Sequence, residues 1–206
     1  MNFSSKILEE AVEQLSIMPG IGKKSAFRLA LFFLKKDPEV TERFTKALAT
    51  LKRELKECQQ CFNISDQDVC EICSDLSRDE QLLCVVEDIN DVMAIEATHQ
   101  FKGKYHVLGG VISPMDGIGP MDLHLDSLID RLEKNDYQEL IMALNPTLEG
   151  DTTQFYIYKR IGHINLKVST LARGVSFGEH LEYADEMTLG RSIHQRMLYE
   201  QTVKKI

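Results

Sequence analysis

LLCVVEDINDVMAIEATHQFKGKYHVL, residues 82–108, holds the change of rhythm that decides the fold. Leu82–Val86 is an unbroken apolar run, the mark of a strand buried on both faces. A helix is predicted from Asn90 to Thr98 and a second strand from Tyr105 to Leu108. Outward from this core the alternation continues. Gly109–Pro120 reads as a long loop, and Asp122–Lys134 as a helix with Leu125, Leu128, Ile129 and Leu132 on one side. Leu140–Leu144 is a third strand, Asp151–Ile161 a helix and Ile164–Ser169 a fourth strand. Such β-α-β-α-β-α-β alternation predicts a parallel sheet covered by helices.

Glu87 closes the first strand, at the carboxyl edge where parallel sheets place their sites. Asp88 and Asp91 follow it, and the third strand runs into Asn145-Pro146-Thr147-Leu148-Glu149-Gly150. The Gly109–Pro120 loop is rich in glycine but lacks the Gly-Lys-Ser/Thr ending of a nucleotide-binding loop. The six histidines are scattered and form no His-x-x-x-His pair.

Upstream lies Cys58-x2-Cys61-x8-Cys70-x2-Cys73. Two Cys-x-x-Cys knuckles supply four thiolates for a tetrahedral site, which suits one structural zinc per chain with no open position for catalysis. Redox thiols are the competing reading. The fifth cysteine, Cys84, falls inside the first strand and reads as plain core. A secreted disulfide scaffold would spread more cysteines more widely.

Further upstream the period becomes helical. A helix is predicted over 5–15, with Leu8, Val12 and Leu15 on one face and Ser4 or Ser5 as cap. Pro19-Gly20-Ile21-Gly22 breaks the chain. A second helix runs from Lys23 to Lys35 with Ala26, Leu29, Ala30 and Phe33 facing inward. Asp37-Pro38 opens a third helix, whose buried stripe is expected to be Val40, Phe44, Ala47, Leu48, Leu51 and Leu55. The glycine hairpin leaves the N–H groups of the second helix pointing outward, where a phosphate can sit. Lys24 and Arg28 share a face beside that terminus, with Lys23 a third base. An ordinary turn with solvated lysines is the plainer reading, but the charge distribution favours a nucleic-acid surface. The chain carries a net charge of −8, yet residues 1–57 hold 11 Lys and Arg against 8 Asp and Glu, and Ser16–Lys36 holds five bases and no acid. Gly20, Gly22, Lys23, Lys24 and Arg28 are therefore the candidate DNA contacts, of a kind that reads backbone rather than sequence. No apolar run reaches membrane-spanning length and Met1–Glu10 lacks the pattern of a signal peptide, so the expected location is the cytoplasm.

Together LSIMPGIGKKSAFRLA, CQQCFNISDQDVCEICSDLSRD, VVEDINDVMAIEATHQFKGKYHVLGGVISPMDGIGP, LNPTLEGDTT and LARGVSFGEHLEYADEMTLGRSI resemble the RecR family of bacterial recombination mediators over nearly the whole chain. The resemblance implies an α+β, multidomain architecture. Residues 1–57 would be a helix-hairpin-helix DNA-binding domain, 58–78 a four-cysteine zinc finger, 79–175 an α/β Toprim domain with a central parallel sheet, and 176–206 a C-terminal helical tail for oligomerisation. Catalytic Toprim domains hold Mg²⁺ with a strand-end glutamate and an Asp-x-Asp pair. Glu87 fits the first position, but Asn145 and Thr147 stand at the pair, and only Glu149 stays acidic beyond it. The resemblance thus implies no catalytic residue and no enzyme; the alternative is a small Mg²⁺-dependent Toprim nuclease or nicking enzyme. It also implies a homo-oligomer, dimer or ring-shaped tetramer, that binds DNA without sequence specificity. It would work with RecO and, in many bacteria, RecF to load RecA onto DNA coated by single-strand binding protein. Glu87, Asp91 and Glu149 are expected to converge at the sheet edge as an acidic docking face for RecO, since complementary charge fixes register.

Overall fold

The computed structural model describes residues 4–176, 178, 180–196 and 198. The chain divides into two compact units, Met1–Lys56 and Glu57–Ile206. No helix among the described residues is long and apolar enough to cross a membrane.

The first unit is three helices, α1 (Lys6–Ser16), α2 (Lys23–Leu34) and α3 (Pro38–Glu54). Ser5 caps α1 by accepting a hydrogen bond from the Leu8 N–H, which satisfies one of the orphan donors of the first turn. Val12 of α1 is buried against Ala26 and Ala30 of α2, with Leu8, Leu15, Ile21 and Phe27 around them. The two alanines, one turn apart, let the helices approach closely.

The stripe expected to bury α3 does not do so. No residue of α3 is buried, and Phe44, Leu48, Leu51 and Leu55 are 38%, 48%, 56% and 36% exposed. The periodicity is correct, but α1 and α2 spend their apolar faces on each other. Phe44 keeps a ring contact with Phe33, centroids 5.0 Å apart. Asp37 stands at the N-cap without a side-chain capping bond, and Pro38 alone opens the helix.

A short hairpin, β1 (Lys56–Glu57) and β2 (Ile64–Ser65), starts at the boundary residue Lys56, and one helical turn, α4 (Glu71–Ser74), follows in the second unit. The sheet follows: β3 (Leu82–Val86), α5 (Ile89–Ala97), β4 (Lys104–Val107), α6 (Leu125–Lys134), β5 (Glu139–Ala143), α7 (Leu148–Arg160) and β6 (Lys167–Thr170). All four strands are parallel, in the order β4-β3-β5-β6. On β3, Leu83 and Val85 face one apolar cluster with α6 and α7, while Cys84 and Val86 face the other with Val92 of α5. This is the period of two of a strand buried on both sides. Cys84 is core, as its sequence context predicts, and burial pushes its thiol up to about 12.

Three boundaries differ by three residues from those the periodicity predicts, each for a local reason. Asp122 ends a 3-10 turn, Pro120–Asp122, in which its carboxylate accepts the Gly119 N–H, so α6 starts at Leu125 rather than Asp122. Thr147 caps α7 by accepting the Gly150 N–H, so that helix starts at Leu148, three residues early. Ile164 and Leu166 are packed on the core as irregular chain, and β6 starts only at Lys167. Of the tail, α8 (Glu186–His194) is helical; residues 199–206 lie outside the described residues.

Candidate functional site

Three groups of side chains were legible as sites, and the structure treats each differently. The cysteines come together. The sulfur atoms of Cys58, Cys61, Cys70 and Cys73 all lie within 4.8 Å of one another, and Cys61 Sγ and Cys70 Sγ are 3.5 Å apart. A tetrahedral tetrathiolate with Zn–S near 2.3 Å needs sulfurs about 3.8 Å apart, so the cluster fits zinc. Backbone turns set this up. The Cys58 N–H donates to Asn63 O at 2.7 Å and the Phe62 N–H to Cys58 O at 2.9 Å, folding the first knuckle. The Cys70 N–H, at the start of the second, donates to Cys58 Sγ at 3.3 Å. The hydrogen bonds with Cys70 and Cys73, together with burial, push the Cys61 thiol well up. Cys70 is pushed down because Cys61 and Cys73 donate to it. Four thiols this close suit a structural zinc, which binds them as thiolates.

The second group is the α1–α2 hairpin. Gly20 takes φ +79°, a region that favours glycine. Gly22 is the N-cap of α2 and offers no side chain to the first-turn N–H groups. A Cβ on either glycine would meet no protein atom within 4 Å, so the space these residues keep clear lies outside the chain. Lys23, Lys24 and Arg28 are all exposed, and the first turn of α2 has no acid. The hairpin therefore presents uncovered helix-terminal donors beside three cations, an arrangement that suits a phosphate.

The third group, the acids, is put to local uses. Glu87 Oε2 accepts a hydrogen bond from Asn145 Nδ2 at 2.8 Å. Asp91 Oδ2 accepts the N–H groups of Glu87 and Asp88, both at 3.1 Å, while Asp88 accepts those of Asn90 and Asp91. These form the capping box of α5, in which side chain and backbone satisfy each other's donors. Glu149 lies in the first turn of α7, where the helix dipole favours an acid. Asp91, Asn145 and Thr147 line one cleft of about 870 Å³, but neither Glu87 nor Glu149 does. Among the described residues, only the four thiols form a group of three or more His, Cys, Asp or Glu placed to share a metal.

The cleft also holds cations that the sequence reading did not single out. Arg173 donates to Asp151 Oδ1 at 2.6 Å and Arg191 stands 3.7 Å from Asp151 Oδ2. The Arg173 guanidinium holds the Asp151 carboxyl below its usual range. Isolated arginines carry no local pattern, so only the fold could reveal them.

Comparison with known proteins follows the same order along the chain. The family models that match are the RecR helix-hairpin-helix over residues 8–52, the RecR four-cysteine zinc finger domain over 55–75, the Toprim domain over 81–172 and the RecR C-terminal segment over 174–197. The recombination protein RecR of Bacteroides thetaiotaomicron is 53% identical over 201 residues, covering 98% of each chain. That of Flavobacterium johnsoniae is 53% identical over 204 residues and 99% of each chain. That of Amoebophilus asiaticus is 53% identical over 199 residues, 97% of this chain and 100% of the relative. With the hairpin, the four-thiol cluster and the parallel sheet in the matching order, the chain belongs to the RecR family.

Proposed function

We propose that this chain is a DNA-binding recombination mediator and not an enzyme. The observation that carries this reading is the hydrogen bond from Asn145 to Glu87. A neutral amide donor stands where a catalytic Toprim site would need a second carboxylate for its metal. Thr147, the other position of that pair, caps α7. The alternative of a Mg²⁺-dependent nuclease would need both to be acids. DNA contact falls to Gly20, Gly22, Lys23, Lys24 and Arg28. Each hairpin binds weakly alone, and a dimer or ring-shaped tetramer, assembled with the help of residues 176–206, raises the effective concentration. The domain division at 57, 78 and 175 is part of this proposal. The place of action is the cytoplasm.

The protein partners in this reading are RecO and, where present, RecF, with RecA loaded onto single-strand-binding-protein-coated DNA. Glu87, Asp91 and Glu149 are the proposed RecO face. Because Asp91 also caps α5, Asp91→Asn costs helix stability as well as charge. Glu87→Gln and Glu149→Gln therefore carry the test. In calorimetric titration of the full chain with RecO, the double variant binds more weakly at unchanged zinc content and circular dichroism. Wild-type affinity would remove these acids from the interface. For DNA, Lys24→Ala/Arg28→Ala weakens binding to all sequences alike. The salt slope shrinks by roughly one unit per lost contact per engaged subunit. An unchanged slope would place the DNA elsewhere, and Mg²⁺-dependent cleavage abolished by Glu87→Gln would overturn the non-enzymatic reading.

A further inference from the structure

β4 is an edge strand of the parallel sheet. An open edge exposes a row of backbone donors and acceptors, which proteins usually cover. Here the zinc module covers it. The outward N–H of Val107 donates to Cys61 O at 2.8 Å. Arg131 of α6 donates through one nitrogen to Tyr105 O at 2.7 Å and to Gln60 O at 3.0 Å, so it holds both the strand and the first knuckle. Phe62, in the left-handed region at φ +61°, stacks its ring on His124 with centroids 3.7 Å apart and meets His106 edge-on.

The second knuckle is held by Lys104. This lysine is 5% exposed, a rare state for its type. Its Nζ donates to Ile72 O at 3.2 Å, Cys73 O at 3.0 Å and Asp75 O at 2.8 Å. An ammonium has three donors and no acceptor, and here three carbonyls take them. They come from the end of α4, a single turn whose last carbonyls lack helical partners. Each cysteine knuckle is thus gripped by one cation, Arg131 of α6 for the first and Lys104 of β4 for the second. Four thiolates around one Zn²⁺ leave two negative charges, and these two cations match them in number.

We infer that Lys104 is a positioning residue of the zinc centre. It holds the Ile72–Asp75 carbonyls so that Cys73 faces the metal, and it offsets the charge of the tetrathiolate. Zinc coordination and closure of the β4 edge are then one cooperative unit, in which loss of either loosens the other.

Lys104→Met keeps the stem and removes the donors and the charge. The full chain, purified with zinc, is titrated with a chromophoric zinc chelator while amide hydrogen exchange is followed at Val107. Lys104→Met is expected to lower zinc affinity by about tenfold or more, the usual scale for an outer-shell partner. It also removes protection at Val107, and leaves the amides of α2 in the other unit protected. Wild-type zinc affinity in Lys104→Met overturns the inference. A second arm needs no variant: stripping zinc from the wild-type chain should expose Val107 selectively. If Val107 stays protected without zinc, the coupling does not exist, whether or not Lys104→Met folds.

Discussion

Asn145 Nδ2 lies 2.8 Å from Glu87 Oε2 and donates to it, joining the loop after β5 to the end of β3 by a neutral-to-charged bond. A second carboxylate here would turn attraction into repulsion. Asn145→Asp is therefore expected to lower stability by about 1 kcal/mol at pH 7, since hydrogen bonds to charged groups are worth about 1.5–3 kcal/mol when buried and less at this solvated edge. Chemical denaturation followed by circular dichroism at pH 7 checks this, and equal stability of variant and wild type would refute it.

His106 gives the fold an acid sensitivity of its own. Its Nε2 sits 2.8 Å from His124 O, its Nδ1 has no partner among the described residues, and burial pushes it down to about 3. The folded-state value is depressed, so the unfolded chain binds the extra proton. The stability linked to this group is complete above the usual histidine value near 6.5 and drains away as pH falls. The slope approaches about 1.4 kcal/mol per pH unit. His106→Gln should flatten the decline between pH 6 and pH 5. An identical slope in the variant would assign the sensitivity to other groups.

Glu96 of α5 holds the linker after the zinc module to the sheet. It pairs with the guanidinium of Arg78, which also donates to Gly103 O at 3.1 Å, and accepts the Tyr105 hydroxyl at 2.7 Å. Arg78 keeps its carboxyl below the usual range, so this contribution is present at neutral pH and lost as pH falls through the folded-state value. Glu96→Gln removes the nearer carboxylate from a guanidinium that is 13% exposed and leaves it Gly103 O and the Asp75 carboxylate at 3.7 Å. The expected cost is about 2 kcal/mol, below the 3–5 kcal/mol of a fully buried pair because Glu96 is partly solvated. A denaturation midpoint equal to wild type would rule the cluster out as a stabilising contact.

Gly150 and Gly190 make an internal contrast. A Cβ on Gly150 would run into the carbonyl oxygen of Asn145, whereas one on Gly190, inside α8, would meet nothing within 4 Å. Gly150→Ala should cost about 2 kcal/mol or more, as overpacking against backbone does. Gly190→Ala should gain roughly 0.5–1 kcal/mol from helix propensity. Thermal melts of the two variants side by side decide it, with a neutral Gly150→Ala as the contrary result.

The metal is countable. Elemental analysis of reduced protein should find one zinc per chain, and Cys58→Ser or Cys73→Ser should bind less zinc and melt at lower temperature, since coordination is part of folding in so small a module. Zinc-free native protein would contradict the four-thiol site.

The zinc ligands, the glycine hairpin and the buried central strand are readable in the chain before it folds. Each is written in residues within reach of one another: two Cys-x-x-Cys turns, Pro19 to Gly22, and the five apolar residues of β3. Periodicity and turn chemistry are short-range, so short stretches encode them. What the apolar positions face is not short-range. The stripe on α3 is legible at helical spacing, yet Leu48 and Leu51 remain about half exposed because, within their unit, α1 and α2 bury their apolar faces on each other. Asp91 is legible as an acid beside the strand end, but its second task, accepting the N–H groups of Glu87 and Asp88, is visible only in the folded chain. Lys104 was one base among many. Its role depends on carbonyls 29 to 32 residues away, brought to it only when the second knuckle folds back over the edge of β4. Tertiary structure alone decided that contact, because a buried ammonium must find its acceptors wherever chain closure places them.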